Sequence, residues 1–212
     1  MKITSIFIFS LIMLSKLNLA KAQEVKIGSQ IWTTKNLSVL TFLNGDSIPK
    51  AQTSEEWVRA MDNKQPAWCY SLNSNNIQTD GILYNFYAVN DSRGIAPKGW
   101  RIASNNDWSI LIKNLGGNQK AFYYLKINGN SFKACPMYGY RVIDYDISTS
   151  LDGTSDTLNK KAPIFLDTRW WASDKLNNDS AGYIMLSVDD VKEIYFGIGN
   201  KGFGCSVRCI KE

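Results

Sequence analysis

Gly99-Trp-Arg-Ile-Ala-Ser-Asn-Asn-Asp-Trp108 is the stretch on which the fold turns. Its second half writes the start of a helix. Ser104 stands at the cap position and Asp107 is the acid three residues on, so each side chain can hold the other's backbone N–H. Trp108, Leu111, Ile112 and Leu115 then recur at i, i+3, i+4 and i+7, which makes one buried face. Gly116-Gly117 ends the helix.

Working outward, the flanks are rich in strands. Val25-Lys-Ile-Gly-Ser-Gln-Ile-Trp32 alternates and predicts an opening strand or hairpin. Asn44-Gly45-Asp46 is a turn signal. Thr53-Ser-Glu-Glu56 is a capping box ahead of Trp57, Ala60 and Met61, which predicts a short helix. Ser131 to Trp170 is rich in Asp, Ser, Thr and Gly and reads as long loops with short strands. Ala181–Leu186, Glu193–Ile198 and Gly204–Ile210 read as the closing strands. No internal repeat and no low-complexity linker divides the chain. The expectation is one α+β domain over residues 23–212.

Residues 1–22 read differently. Met1-Lys2 is a short positive start, Ile3 to Leu19 is mostly apolar, and Ala20-Lys21-Ala22 is a small-x-small cleavage site. This is the pattern of a secretory signal peptide. Lys16 interrupts the run, which argues against an uncleaved anchor. The expected destination is therefore the periplasm, the cell surface or the medium, with no membrane span after cleavage. The leader holds Lys2, Lys16 and Lys21 and no acid, so three of the five units of net positive charge leave with it. A nearly neutral remainder gives no reason to expect a nucleic-acid partner. The chain has no histidine. That excludes Ser-His-Asp and Cys-His nucleophile systems and any His-ligated metal.

An oxidising compartment would let Cys69, Cys135, Cys205 and Cys209 pair. If Gly204–Ile210 is one strand, Cys205 and Cys209 share a face but lie about 13 Å apart at ~3.3 Å per residue. A disulfide needs Cα atoms within roughly 7 Å. Each is then expected to pair with Cys69 or Cys135. Arg208 would face away from the bridges and make a structural ion pair.

Several stretches, taken in order, carry a family likeness. They are Ile27-Gly-Ser-Gln-Ile-Trp-Thr-Thr-Lys-Asn-Leu37, Asn44-Gly-Asp46, Pro66-Ala-Trp-Cys-Tyr70, Leu83-Tyr-Asn-Phe-Tyr-Ala-Val-Asn90, Ala96-Pro-Lys-Gly-Trp-Arg101, Asp107-Trp108, Leu115-Gly-Gly117, Trp170-Trp-Ala-Ser173 and Ser206-Val-Arg-Cys209. Together they resemble the Fibrobacter succinogenes major paralogous domain, a domain of secreted and surface proteins. That family is in turn similar to the C-type-lectin-like fold, in the branch holding the formylglycine-generating sulfatase-modifying enzymes. The resemblance implies paired terminal strands, helices flanking small twisted antiparallel sheets, and long loops that carry any binding surface. It also implies a family-type Cys69–Cys209 bridge. Cys135 and Cys205 stand where the family has apolar residues, which points to an added Cys135–Cys205 bridge.

The likeness does not carry the enzyme's chemistry. The redox cysteines of the formylglycine-generating relatives lie upstream of the final strand, whereas Cys205 and Cys209 are expected inside it. No catalytic residue is assigned. Calcium, through which many C-type lectins hold sugar, has weak candidates in Asp174, Asn178 and Asp179, and a second acidic loop carries Asp144, Asp146, Asp152 and Asp156. Neither has EF-hand spacing or a sugar-binding triplet, so turn chemistry accounts for both. Trp32, Trp57, Trp68, Trp100 and Trp108 are expected in the core. Trp170 and Trp171 are adjacent and point to opposite faces of a strand, so one of them is expected at the surface. Trp170, Trp171, Asp174, Asn177 and Asp179 are the candidate ligand contacts. The expected function is a non-enzymatic module that binds a glycan or a surface protein. The alternatives are an extracellular enzyme on the same fold or a subunit of a surface assembly.

Overall fold

Ile27-Gly28-Ser29-Gln30 turns the first strand back on itself. β1 (Glu24–Ile27) and β2 (Gln30–Thr33) form the expected hairpin, paired from Glu24↔Thr33 to Ile27↔Gln30. Gly28 enters the turn at φ +60°, where a side chain would be strained. The structure is a computed structural model and describes residues 24–70, 82–126, 140–141, 168–186 and 192–212. The expected leader at 1–22, Cys135, the acidic loop with Asp144, Asp146, Asp152 and Asp156, and most of the Ser131–Trp170 loop region lie outside the described residues.

The further elements are α1 (Ser54–Asp62), β3 (Trp68–Cys69), β4 (Leu83–Tyr84), α2 (Phe86–Val89), β5 (Trp100–Ile102), α3 (Asn105–Asn114), α4 (Asn118–Leu125), β6 (Tyr140–Arg141), β7 (Thr168–Lys175), β8 (Ser180–Leu186), β9 (Ile194–Asn200), β10 (Gly204–Val207) and β11 (Cys209–Lys211). One sheet runs β1-β2-β11-β5. The other runs β3-β4-β10-β7-β8-β9, with β6 also on β10. The last strand joins the N-terminal hairpin where Ile210 pairs with Trp32 of β2. The architecture is α+β, with mostly antiparallel sheets and few helices. Among the described residues, no helix is long and apolar enough to cross a membrane.

The Ser104 helix forms as its sequence predicts. The Ser104 hydroxyl accepts from the Asp107 N–H and the Asp107 carboxylate accepts from the Ser104 N–H. Arg101, one strand earlier, grips the same carboxylate with both terminal nitrogens. Burial works to raise the pKa of Asp107, but the Arg101 fork and the Ser104 donors outweigh it and hold the carboxyl below its ordinary value of 3.8. In α1, Thr53 caps the Glu56 N–H, while the Glu56 carboxylate reaches past the cap to the Gln52 N–H. α2 and α4 have no counterpart in the sequence reading. Gly117, read as a stop, also serves as the N-cap of α4, without a side-chain bond.

The core follows from alternation along β7 to β9. Trp170, Ile184, Leu186 and Ile194 point to one face, where Trp108, Leu111, Phe122 and Leu125 of α3 and α4 cover them. There the rings of Trp32 and Trp108 lie 4.9 Å apart and those of Trp108 and Trp170 5.2 Å apart. Trp171, Ala181, Cys205 and Val207 point to the other face and pack with Tyr84, Phe86 and Trp68. A third cluster gathers Trp57, Cys69 and Leu83.

The last strand corrects the reading in one respect. Gly204–Ile210 is not one strand but two, in different sheets. β10 pairs in parallel with β7, at Ser206↔Trp170 and Val207↔Trp171, and antiparallel with β4. β11 pairs with β2 and β5. Arg208 stands at the crossing, fully buried, and its Nη1 donates to the Thr33 carbonyl at 2.9 Å.

The expected bridges are likewise corrected. Cys205 and Cys209 carry free, buried thiols, and no disulfide joins Cys69 to either. The reason is the pleat. Trp68, Tyr84 and Cys205 form one cross-strand row and face the second cluster, which also holds Cys209. Cys69 sits opposite Leu83 and faces the third cluster, on the other side of β3 and β4. Cys205 is a free thiol, and Cys135, its expected partner, lies outside the described residues. Burial pushes the Cys209 thiol up to about 12 and raises that of Cys205 as well, which makes both poor nucleophiles at neutral pH.

Candidate functional site

A strand that carries Gly197 and Gly199 two apart leaves a bare strip of backbone on one face of β9. In the β8–β9 register, Tyr183 stands opposite Gly197 and Ala181 opposite Gly199. The Tyr183 ring lies across that strip. A Cβ on Gly197 would come within 2.3 Å of the ring, and one on Gly199 within 3.0 Å of it and 2.8 Å of the Phe203 ring. Both close approaches require glycine. The Arg169 guanidinium is 5.1 Å from the Tyr183 ring centre, within cation–π range. Trp171, opposite Tyr183 on β7, meets its ring edge-on at 6.5 Å.

The outer end of this face is open. Tyr195 is exposed, while Tyr183, Met185 and Phe203 are half-buried. By alternation Tyr183, Met185 and Tyr195 share the face, with Arg169 in the row of Met185 and Tyr195. The result is a flat aromatic shelf with a glycine floor and one cationic side chain against a ring. Its chemistry suits a ligand with an apolar flat face and polar edges. Single-sequence reading missed Tyr183, Tyr195, Phe203 and Arg169. Gly197 and Gly199, two apart at the end of a predicted strand, were the signal that could have found them.

Of the residues expected to bind ligand, Trp170 and Trp171 are corrected. Both are fully buried, because both faces of β7 are covered. Their indole N–H groups are used inside the fold, Trp170 on the Asn36 side-chain oxygen and Trp171 on the Tyr84 carbonyl. Neither can stack on a sugar.

Asp174, Asn177, Asn178 and Asp179 come together in the β7–β8 turn, and their oxygens are engaged by protein donors. The Asn177 side-chain oxygen accepts from the Asp179 and Ser180 N–H groups. Asp174 accepts from the Asn105 N–H at the start of α3. Asp179 pairs with Lys64 at 3.0 Å on the surface. The carbonyls of Asn177 and Asn178 both accept from the Lys201 ammonium, at 2.5 and 2.9 Å. The turn thus holds a cation that the chain itself supplies. Among the described residues, no cluster of three Cys, Asp or Glu is placed to hold a metal.

A two-sheet α+β module with joined termini and an aromatic shelf describes the class of protein. The match to the Fibrobacter succinogenes major domain spans residues 25–211, and the chain belongs to that family. No curated protein and no solved structure matches the chain.

Proposed function

We propose that this protein is an exported, non-enzymatic binding module with a C-type-lectin-like fold, and that it holds glycan on the Tyr183 shelf. The observation that carries the reading is the ring of Tyr183 laid over Gly197 and Gly199, beside exposed Tyr195. Pyranose rings offer a C–H face that packs on an aromatic face and hydroxyls that meet a polar rim. The pairing of the last strand with the N-terminal hairpin supports the lectin-like fold. Binding in place of catalysis is supported by where the reactive groups sit. The Cys205 and Cys209 thiols are sealed in the core, and Asp46, Asp91 and Asp107 are each held by an arginine.

The lysine-filled turn further suggests that binding needs no calcium. A glycan array probed with calcium and with chelator tests both points. The expected result is glycan binding that survives the chelator. Tyr183→Ala and Tyr195→Ala should each weaken it about tenfold, the scale of one lost aromatic contact. An array without a hit in either condition overturns the glycan reading.

A further inference from the structure

The outer edge of β9 has its own open chemistry. β9 is the last strand of its sheet among the described residues, and seven residues long. Ile194 marks which backbone groups face outward. Its N–H donates to the Asn118 side-chain oxygen and its carbonyl accepts from the Asn118 amide nitrogen, so neither points to β8. In an antiparallel pair this orientation repeats every second residue. Phe196, Ile198 and Asn200 therefore also direct their backbone groups away from β8. The Asn200 carbonyl is taken by the Phe203 N–H in the following turn. That leaves Phe196 and Ile198 as the open donor–acceptor pairs, and their side chains are 46 % and 70 % exposed.

We infer that this edge is an interaction surface for a second copy of the chain, joined strand to strand about a twofold axis through Gly197. The register follows from which groups are open. Centring the axis on Gly197 sets Phe196 against the partner's Ile198 and Ile198 against the partner's Phe196. Both are hydrogen-bonded positions, so all four outward groups of each copy's pair are used. Centring on Phe196 would call on Ile194, which Asn118 already occupies. Centring on Ile198 would call on Asn200, whose carbonyl is in the turn.

The same register builds two aromatic–β-branched cross-strand pairs, a favoured combination. Ile194–Asn200 contains no acidic or basic residue, so a homotypic contact opposes no like charges. Beyond the strand ends the alignment sets Glu193 of one copy near Lys201 of the other, so no like charges meet there either. The exposed parts of Tyr195, Phe196 and Ile198 amount to roughly 600 Å² over both copies. A stable dimer buries about 1,200 Å² or more, so the association is weak and reversible. It rests on the edge strand alone and does not depend on glycan binding.

Sedimentation velocity on the purified protein from about 10 μM to 1 mM tests it. The expected result is a monomer–dimer equilibrium that Ile198→Lys weakens at least about tenfold. The thermal melt of that variant should be unchanged, because the side chain is largely in solvent. Register is read by oxidative cross-linking. A mixture of Phe196→Cys and Ile198→Cys chains should give a mixed disulfide dimer, and Phe196→Cys alone should not. Amide exchange separates the remaining case. Protection of Phe196 and Ile198 only at high concentration supports the dimer. Protection at every concentration means another segment of the same chain covers the edge, which overturns it. A monomer throughout, or a dimer indifferent to Ile198→Lys, overturns it equally.

Discussion

The two faces of the β7–β8–β9 sheet are built from the same three strands and end in opposite ways. On one face Trp170, Ile184, Leu186 and Ile194 lie under α3 and α4, which bury them completely or nearly so, and cover stops only at Phe196 and Ile198 farther along β9. On the other, cover runs out along the strands. Trp171 is sealed, Tyr183 is half-covered, and Tyr195 is exposed. Burial on the first face comes from α3, which the local sequence calls into being, and from α4 packed beside it. Exposure on the second comes from glycines that admit a ring and from the absence, among the described residues, of an element laid over it. A stability site and a candidate binding site can thus share a backbone and differ in side-chain parity and in where the covering helices end.

The sharpest way to break this contrast is to hollow the covered face. Trp108→Ala removes the ring that stands between Trp32 and Trp170 and should cost about 3–5 kcal/mol in chemical denaturation. A cost below about 1 kcal/mol would mean that the face is not packed as described. The open face is probed by Gly197→Ala. Its methyl would meet the Tyr183 ring at 2.3 Å, so the ring must move, at about 1–3 kcal/mol. Near-ultraviolet dichroism should register the displaced tyrosine while the tryptophan signals of the covered face stay in place. The smallest effect is electrostatic and belongs to the covered face alone. Asp107 titrates below 3.8 when folded, so its contribution is present in full above that pH and is lost as the pH falls through the lowered value. Stability followed from pH 6 to pH 2 should drop more steeply in the native protein than in Asp107→Asn.

Residues differ in how much of this a sequence discloses. The Ser104 helix was legible because its cap, stripe and stop all lie within fourteen residues of one another. The hairpin at Gly28 and the turn at Asn44-Gly45-Asp46 were legible for the same reason, and the Asp46 N–H does bond the Asn44 side chain. Alternation correctly sent Trp170 and Trp171 to opposite faces. It could not say that both faces would be covered, since α3 and α4 pack on one and β4 with α2 on the other. The expected Cys69–Cys209 bridge failed on a non-local fact, namely that Cys69 faces the third cluster while Cys209 packs in the second, on the other side of β3 and β4. The shelf was hidden for a related reason. Tyr183 reaches Gly197 only through the β8–β9 register, and nothing near Tyr183 in the sequence announces its floor.

The passage from β10 to β11 through buried Arg208 has a mechanical meaning. Three residues, Val207 to Cys209, are the seam by which a single length of chain is woven into both sheets. Val207 anchors the Leu37 N–H and Arg208 the Ala103 N–H, so loops from either half hang on the same short thread. Neither sheet can come apart while the other stays whole. The body should melt as one unit, and trimming the tail before Ser206 should undo both sheets together.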